Sequence, residues 1–355
     1  MNLELAKKIA DAILYEGFIL YPYRASAIKN RQRFNFGVLL PGTWAEHQQS
    51  GDTGRLQTEC LIEGEFPRIE VRIRFLQLVS REVGRRHSDA SSNEVPTPPA
   101  DPKDLRYESV PELEVDGEIH QGWEEAIERE IVASDLKLVE LVTNPCTVRW
   151  TRAAHHSSET LLCADGQVAG AIVRRQRPIE AVVTIGAERL AEHLWRIRVE
   201  VANVTMLAPD TLRPEAQLSA LTSAHVLLAA QAGQFVSLLE PPDPFAPFVA
   251  GCQNRGVWPV LVGDESERDL MLASPIVLYD YPQVAPESDG DYFDGTEMDE
   301  MLALRVMTLT DDEKRAMRGL DRRAREILER TEALSQSNLM HLHGTVRELK
   351  EVPES

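Results

Sequence analysis

The chain has 355 residues, 43% of them hydrophobic, enough for two domains or one large domain with insertions, each able to bury a core, which excludes a disordered protein. A formal net charge of −19 excludes extended contact with nucleic acid or an anionic membrane surface, because that field repels polyanions before any local contact forms. The four cysteines, Cys60, Cys146, Cys163 and Cys252, form no C-x-x-C pair, so no zinc knuckle or iron-sulfur ligand set is written here and they read as buried thiols of a reducing compartment.

The first residues, MNLELAKKIADAILYEGFIL, place Leu3, Leu5, Ile9, Ala12, Ile13 and Leu14 at helical spacing with Lys7, Lys8 and Asp11 opposite, predicting an amphipathic opening helix. They carry no basic start, uninterrupted apolar centre or small-residue cleavage site of a signal peptide, and no apolar run approaches the ~20 residues that span a membrane. The expectation is a soluble cytoplasmic protein without an integral membrane segment.

Residues 21 to 36 interleave Tyr21, Tyr23, Phe34 and Phe36 with Arg24, Lys29, Arg31 and Arg33. Such a block can stack on and neutralise nucleic acid, but the overall charge argues against that partner. Residues up to 83 hold 11 basic against 10 acidic side chains, so the excess acid lies downstream and the basic block is suited to dock on it, within the chain or on a partner.

RLQTECLIEG and RIEVRIRFLQLV read as strands, the second alternating Ile69, Val71, Ile73 and Phe75 with Arg68, Glu70, Arg72 and Arg74 in a half-buried antiparallel pattern. Residues 84 to 111 collect Ser, Pro and charge and read as a linker or long exposed loop. GWEEAIEREIVAS reads as a short acidic helix. Period-two patterns follow in AVVTIGAERL and WRIRVEVANV, and HVLLAAQAGQFVSLLEPP reads as a hairpin turning at Ala232-Gly233. PPDPFAPFVAGCQNRGVWPVLVG suggests a proline-led helix, a stop at Gly256 and a short strand, and LMLASPIVLYDYP continues extended. Helical period returns in TEMDEMLALRVMTL, and Thr310-x-x-Glu313 forms a capping box before a long charged helix.

These elements predict an α+β fold: an antiparallel β-rich, sandwich-like middle, an N-terminal helix-plus-strands segment and a helical C-terminal region. The corresponding segments are 1–83, a linker at 84–111, a β-rich domain at 112–240 and a mixed segment at 241–355.

No phosphate loop, dinucleotide-binding glycine motif, G-x-S-x-G elbow or H-E-x-x-H helix is present, so an enzyme is the less favoured class and no catalytic residue or cofactor is assigned. The stretch SPIVLYDYPQVAPESDGDYFDGTEMDEM contains eight carboxylates and no Lys or Arg. Asp289, Asp291 and Asp294 before Gly295 approach a calcium loop, but the third acid and the glycine each fall one residue late for an EF-hand. The plainer reading is a loop in which Asp294 or Thr296 caps the next helix, with Glu297, Asp299 and Glu300 at the positive end of its dipole. His155-His156 and the His341-x-His343 pair supply imidazoles but no complete ligand set, and read as loop or surface residues.

At YEGFILYPYRASAIKNRQRFNFGVLLP, FVSLLEPP, NRGVWPVLVG and SPIVLYDYPQVAPESDGDYFDGTEMDEMLALRVMTLTDDEKRAM the sequence resembles an uncharacterised family associated with gene clusters of uptake nickel-iron hydrogenases. The resemblance covers roughly two thirds of the chain and brings no catalytic residues. It implies an accessory role in hydrogenase maturation or assembly, with a hydrogenase subunit or maturation protein as partner. Two blocks have the composition of a recognition surface: Tyr21, Tyr23, Arg24, Lys29, Arg31 and Arg33, and Tyr279, Tyr281, Glu287, Asp289, Asp291, Asp294, Glu297 and Asp299. The same blocks are equally read as internal seams of the fold. The alternative is a metal-binding enzyme or metal-delivery protein using acids 287–300 with a histidine pair.

Overall fold

The computed structural model describes residues 3–15, 36–48, 51–86 and 107–283, with single positions between 309 and 332. In chain order its elements are α1 (Leu3–Tyr15), α2 (Gly42–Gln48), β1 (Arg55–Glu63), β2 (Arg68–Arg86), β3 (Tyr107–Val110), β4 (Glu112–Val115), β5 (Glu118–Gln121), β6 (Trp123–Lys137) and α3 (Leu138–Leu141). They continue with β7 (Cys146–Arg152), β8 (His155–Leu162), β9 (Val168–Gln176), β10 (Ile179–Arg189), β11 (Leu194–Asn203), α4 (Arg213–Gln217), β12 (Thr222–Gln231), β13 (Gln234–Phe235), α5 (Ala246–Val249), β14 (Trp258–Leu261) and β15 (Leu270–Ser274).

The alternation that begins at Arg68 runs on to Arg86, so β2 is a single 19-residue strand around which one sheet is organised. β12 pairs with its first half and β9 with its second, while β6 and then β3 occupy the opposite edge. β14 and β15 extend the sheet beyond β12, and β8 extends it beyond β9. A second, five-stranded sheet runs β13-β1-β11-β10-β7. All pairs within the two sheets are antiparallel, and β4-β5 makes a separate small ribbon.

Period two puts every second residue on one face, and here those faces meet. Ile69, Val71, Ile73 and Phe75 of β2 and Val226 and Leu228 of β12 share one core with the second sheet. From that sheet come Ile179, Ala181, Val183 and Ile185 of β10 and Ile197, Val199 and Val201 of β11. Each large side chain withdrawn from water contributes roughly 1.5–3 kcal/mol before ordering entropy is subtracted. On the far face of the larger sheet, Ala6, Ile9, Ala10 and Ile13 of α1 cover Leu227, Ala229, Val260, Val262, Leu270 and Leu272. The amphipathic helix expected at the N-terminus therefore packs on β12, β14 and β15.

Several expectations are corrected. The class is mostly antiparallel β, 51% strand against 16% helix, rather than α+β, and no helical C-terminal region is shown among the described residues. GWEEAIEREIVAS is not a helix but most of β6, whose residues 123–133 pair along β2 from Arg81 to Val71. Its helix-forming glutamates yield to the ladder, because a long partner strand satisfies its backbone groups while Ile131 and Ala133 enter the core. The turn at Ala232, with φ +57°, does not close a hairpin. Instead β13 leaves the sheet of β12 and pairs with Ile62 and Glu63 of β1, which buries Phe235 between the sheets.

Residues 84–86 continue β2 and 107–110 form β3 against it, while 87–106 lie outside the described residues. The Thr310 carbonyl accepts a backbone bond from Lys314, as a first helical turn requires, and Glu313 lies outside the described residues. Among the described residues no helix is long and apolar enough to cross a membrane.

Candidate functional site

Of the two blocks singled out in the sequence, Tyr21, Tyr23, Arg24, Lys29, Arg31 and Arg33 lie outside the described residues, as do Glu287, Asp289, Asp291, Asp294, Glu297 and Asp299. Tyr279 and Tyr281 are described, and they have opposite environments.

Pro275 follows β15, and the segment after it begins beside Trp258, which pairs with Ser274, and finishes at Leu261. It therefore runs the length of β14. Asp280 anchors it: one carboxylate oxygen accepts the Leu261 N–H at 2.7 Å and the other accepts the Ser237 hydroxyl. The Tyr281 N–H donates to the Leu261 carbonyl at 2.7 Å, its hydroxyl donates to the Glu267 carbonyl, and its ring packs against the main core. Burial, then the neighbouring Asp280 carboxylate, raises the Tyr281 phenol above its ordinary pKa. Tyr281 also sits at φ +53°, a left-handed conformation unusual for a bulky residue, held here by those contacts.

Leu278 packs with the α1 cluster, whereas Val277 and Tyr279 are 70% and 86% exposed. Trp258, at the start of β14, is also exposed. Three large side chains are thus presented to solvent along one anchored edge.

Sequence spacing gives no hint of a second feature. Between α1 and the outer face of the larger sheet lies a cleft of about 230 Å³ bordered by Lys7, Arg72, Arg74, Leu227 and the β6 residues Glu128, Arg129 and Glu130. Arg72 is paired with Glu70 at 2.6 Å and with Glu130, and Arg74 with Asp11 at 2.6 Å. The Tyr15 hydroxyl donates to Glu128 at 2.6 Å. Next to Arg74 across the ladder stands His225, fully buried, with Nδ1 2.8 Å from the Ser223 carbonyl. That contact requires Nδ1 to carry the hydrogen and leaves Nε2 a bare acceptor. Burial pushes the imidazole down to about 4, further lowered by Arg74 and opposed by the Ser223 bond.

Among the described residues, Arg74 Nη1, His225 Nε2 and Ser223 Oγ have no hydrogen-bond partner. Since Ser223 Oγ and His225 Nε2 are not bonded to each other, they are not arranged as nucleophile and base, and a neutral imidazole of such low basicity is a poor proton acceptor at neutral pH. Arg72 and Arg74 are charge-compensated there, and the Arg74–Asp11 pair ties α1 to β2. Asp11, Arg74, Glu128 and His225 come from four elements far apart in the chain, so no local pattern could have marked them as neighbours.

His155 and His156 are exposed on β8, and His341 and His343 lie outside the described residues. Among the described residues no group of three or more His, Cys, Asp or Glu side chains is placed to hold a metal ion. Cys60 is buried and its thiol is raised by burial, while Cys146, Cys163 and Cys252 are partly buried, and all four are free. No family model matches the chain, and no curated protein matches it significantly.

Proposed function

We propose that this protein is a non-catalytic, cytoplasmic accessory factor of nickel-iron hydrogenase maturation or assembly, acting by binding a hydrogenase subunit or another maturation factor. The resemblance of its aromatic, proline and acidic blocks supports the pathway, and one observation carries the binding role. Tyr279 stands 86% exposed on a segment whose backbone is anchored through Asp280 and Tyr281. A solvent-facing tyrosine on an anchored backbone spares the cost of ordering the segment on contact, and tyrosine is among the residues that concentrate binding energy at interfaces. Val277 and Trp258 extend the apolar surface beside it.

Co-purification of tagged full-length protein with the cognate large or small hydrogenase subunit tests the reading. Tyr279→Ala is expected to weaken capture by about thirtyfold or more, the effect of losing roughly 2 kcal/mol at an interface centre, without lowering the melting temperature. Failure to recover either subunit or a maturation factor, together with unchanged hydrogenase activity after deletion, would overturn it.

A further inference from the structure

Where the larger sheet extends past the five-stranded one, its inward face changes from apolar to polar. On β2 the inward series passes from Phe75 to Gln77, Val79 and Arg81. Arg129 of β6 stands opposite Phe75 and Gln176 of β9 opposite Val79. Gln77 is fully buried; its amide nitrogen donates to the Arg177 carbonyl at 2.9 Å, which fixes its oxygen as an acceptor for Arg129 Nε, also at 2.9 Å. Arg129 Nη2 donates to Gln176 at 3.2 Å. Two neutral amides thus aim this guanidinium without neutralising it.

A second cation faces the same place. Arg152, the last residue of β7, lies over the Trp150 ring at 5.7 Å, and Trp150 packs edge-on against Phe75. Neither Arg129 nor Arg152 has a carboxylate partner among the described residues. Arg174, on the neighbouring β9, contrasts with them: it bonds Glu125 at 2.8 Å and Glu159 at 2.9 Å. Holding two guanidiniums together without a counter-charge is unfavourable, and burial together with Arg152 lowers the pKa of Arg129. An oxyanion placed between them would relieve the repulsion.

The surroundings favour an extended ligand. Among the described residues β7 ends the five-stranded order and pairs with β10 alone, so its outer backbone groups offer a ladder to an added strand. We infer that the β7 edge, with Arg129 and Arg152, is a docking site for an extended acidic peptide segment of a partner protein. The site is separate from Tyr279: β14 and β7 belong to different sheets and do not pair. The chain's net charge of −19 repels acidic ligands at a distance, so recognition depends on these two cations at contact.

The test uses full-length protein and a short synthetic peptide of alternating Glu and Thr, beside the same peptide with Gln for Glu. The acidic peptide is expected to bind about tenfold or more tightly than its Gln counterpart and to slow hydrogen exchange of β7 amides. Arg152→Gln, at an exposed position, should remove most of that preference, and Arg129→Lys, which keeps the charge but loses the fork, should remove part of it. Equal binding of the two peptides, binding of neither, or unchanged preference in both variants would overturn the inference. So would inorganic phosphate displacing the peptide at matched concentration, which would identify a small-oxyanion site instead.

Discussion

His225 is neutral in the folded chain at a pH where the same side chain is charged once unfolded. Its pKa falls from 6.5 to about 4 on folding because burial disfavours the imidazolium. Arg74 on β2 adds to the effect, while Asp11 and Tyr15 on α1 and Glu128 on β6 surround the pair from the other side. Between those two pKa values the unfolded state binds the extra proton, so stability is fully present above pH 6.5 and is lost as pH falls toward 4. The loss attributable to this residue is up to about 3 kcal/mol. Denaturant unfolding across that range should show His225→Leu flattening the upper part of the acid limb, whatever its effect at neutral pH. An unchanged slope would mean that carboxylates alone set it. Nothing in HVLLAAQ marks this histidine as buried and polar, since its neighbours only announce a strand. Tyr281 likewise has the look of a recognition residue in the sequence, yet it packs inward while Tyr279 stays outside. Their difference depends on where Leu261 and Glu267 lie.

At the level of elements, α1 is legible in the sequence and β6 is not. α1 carries its own evidence, an apolar stripe at helical spacing, and the stripe meets the apolar outer face of the larger sheet. Its attachment also uses a pair that no local pattern reveals, Arg74 with Asp11, whose side chains are 8% and 32% exposed. Asp11→Ala leaves Arg74 buried without its nearest counter-charge and is expected to cost about 2–3 kcal/mol. Replacing both, as in Asp11→Ala with Arg74→Met, should restore part of the loss, because the stranded charge is removed as well. Chemical denaturation of the two variants checks this, and additive losses would show that the pair is not coupled. β6 reads as a helix because GWEEAIEREIVAS is rich in helix formers. Its partner, β2, comes more than a linker earlier, and only that pairing makes the alternate inward positions Ile127, Arg129, Ile131 and Ala133 intelligible.

Over the whole molecule, the excess of acid acts against the core. With −19 on 355 residues, self-repulsion opposes the compact state, and added salt screens it. The melting temperature should therefore rise from low to physiological ionic strength, as measured by differential scanning calorimetry in sodium chloride. A fall would mean that the ion pairs around Arg72, Arg74 and Arg174 outweigh the repulsion. The acidic character, the opening helix and the strands β1, β2, β10 and β11 are written in the chain alone, because helical and period-two burial are patterns between near neighbours. That β6 is a strand, that β13 crosses between sheets, and that Asp11, Arg74, Glu128 and His225, or Arg129 and Arg152, converge emerges only on folding. Those outcomes depend on pairing and packing between segments far apart in the chain, and no local spacing encodes them.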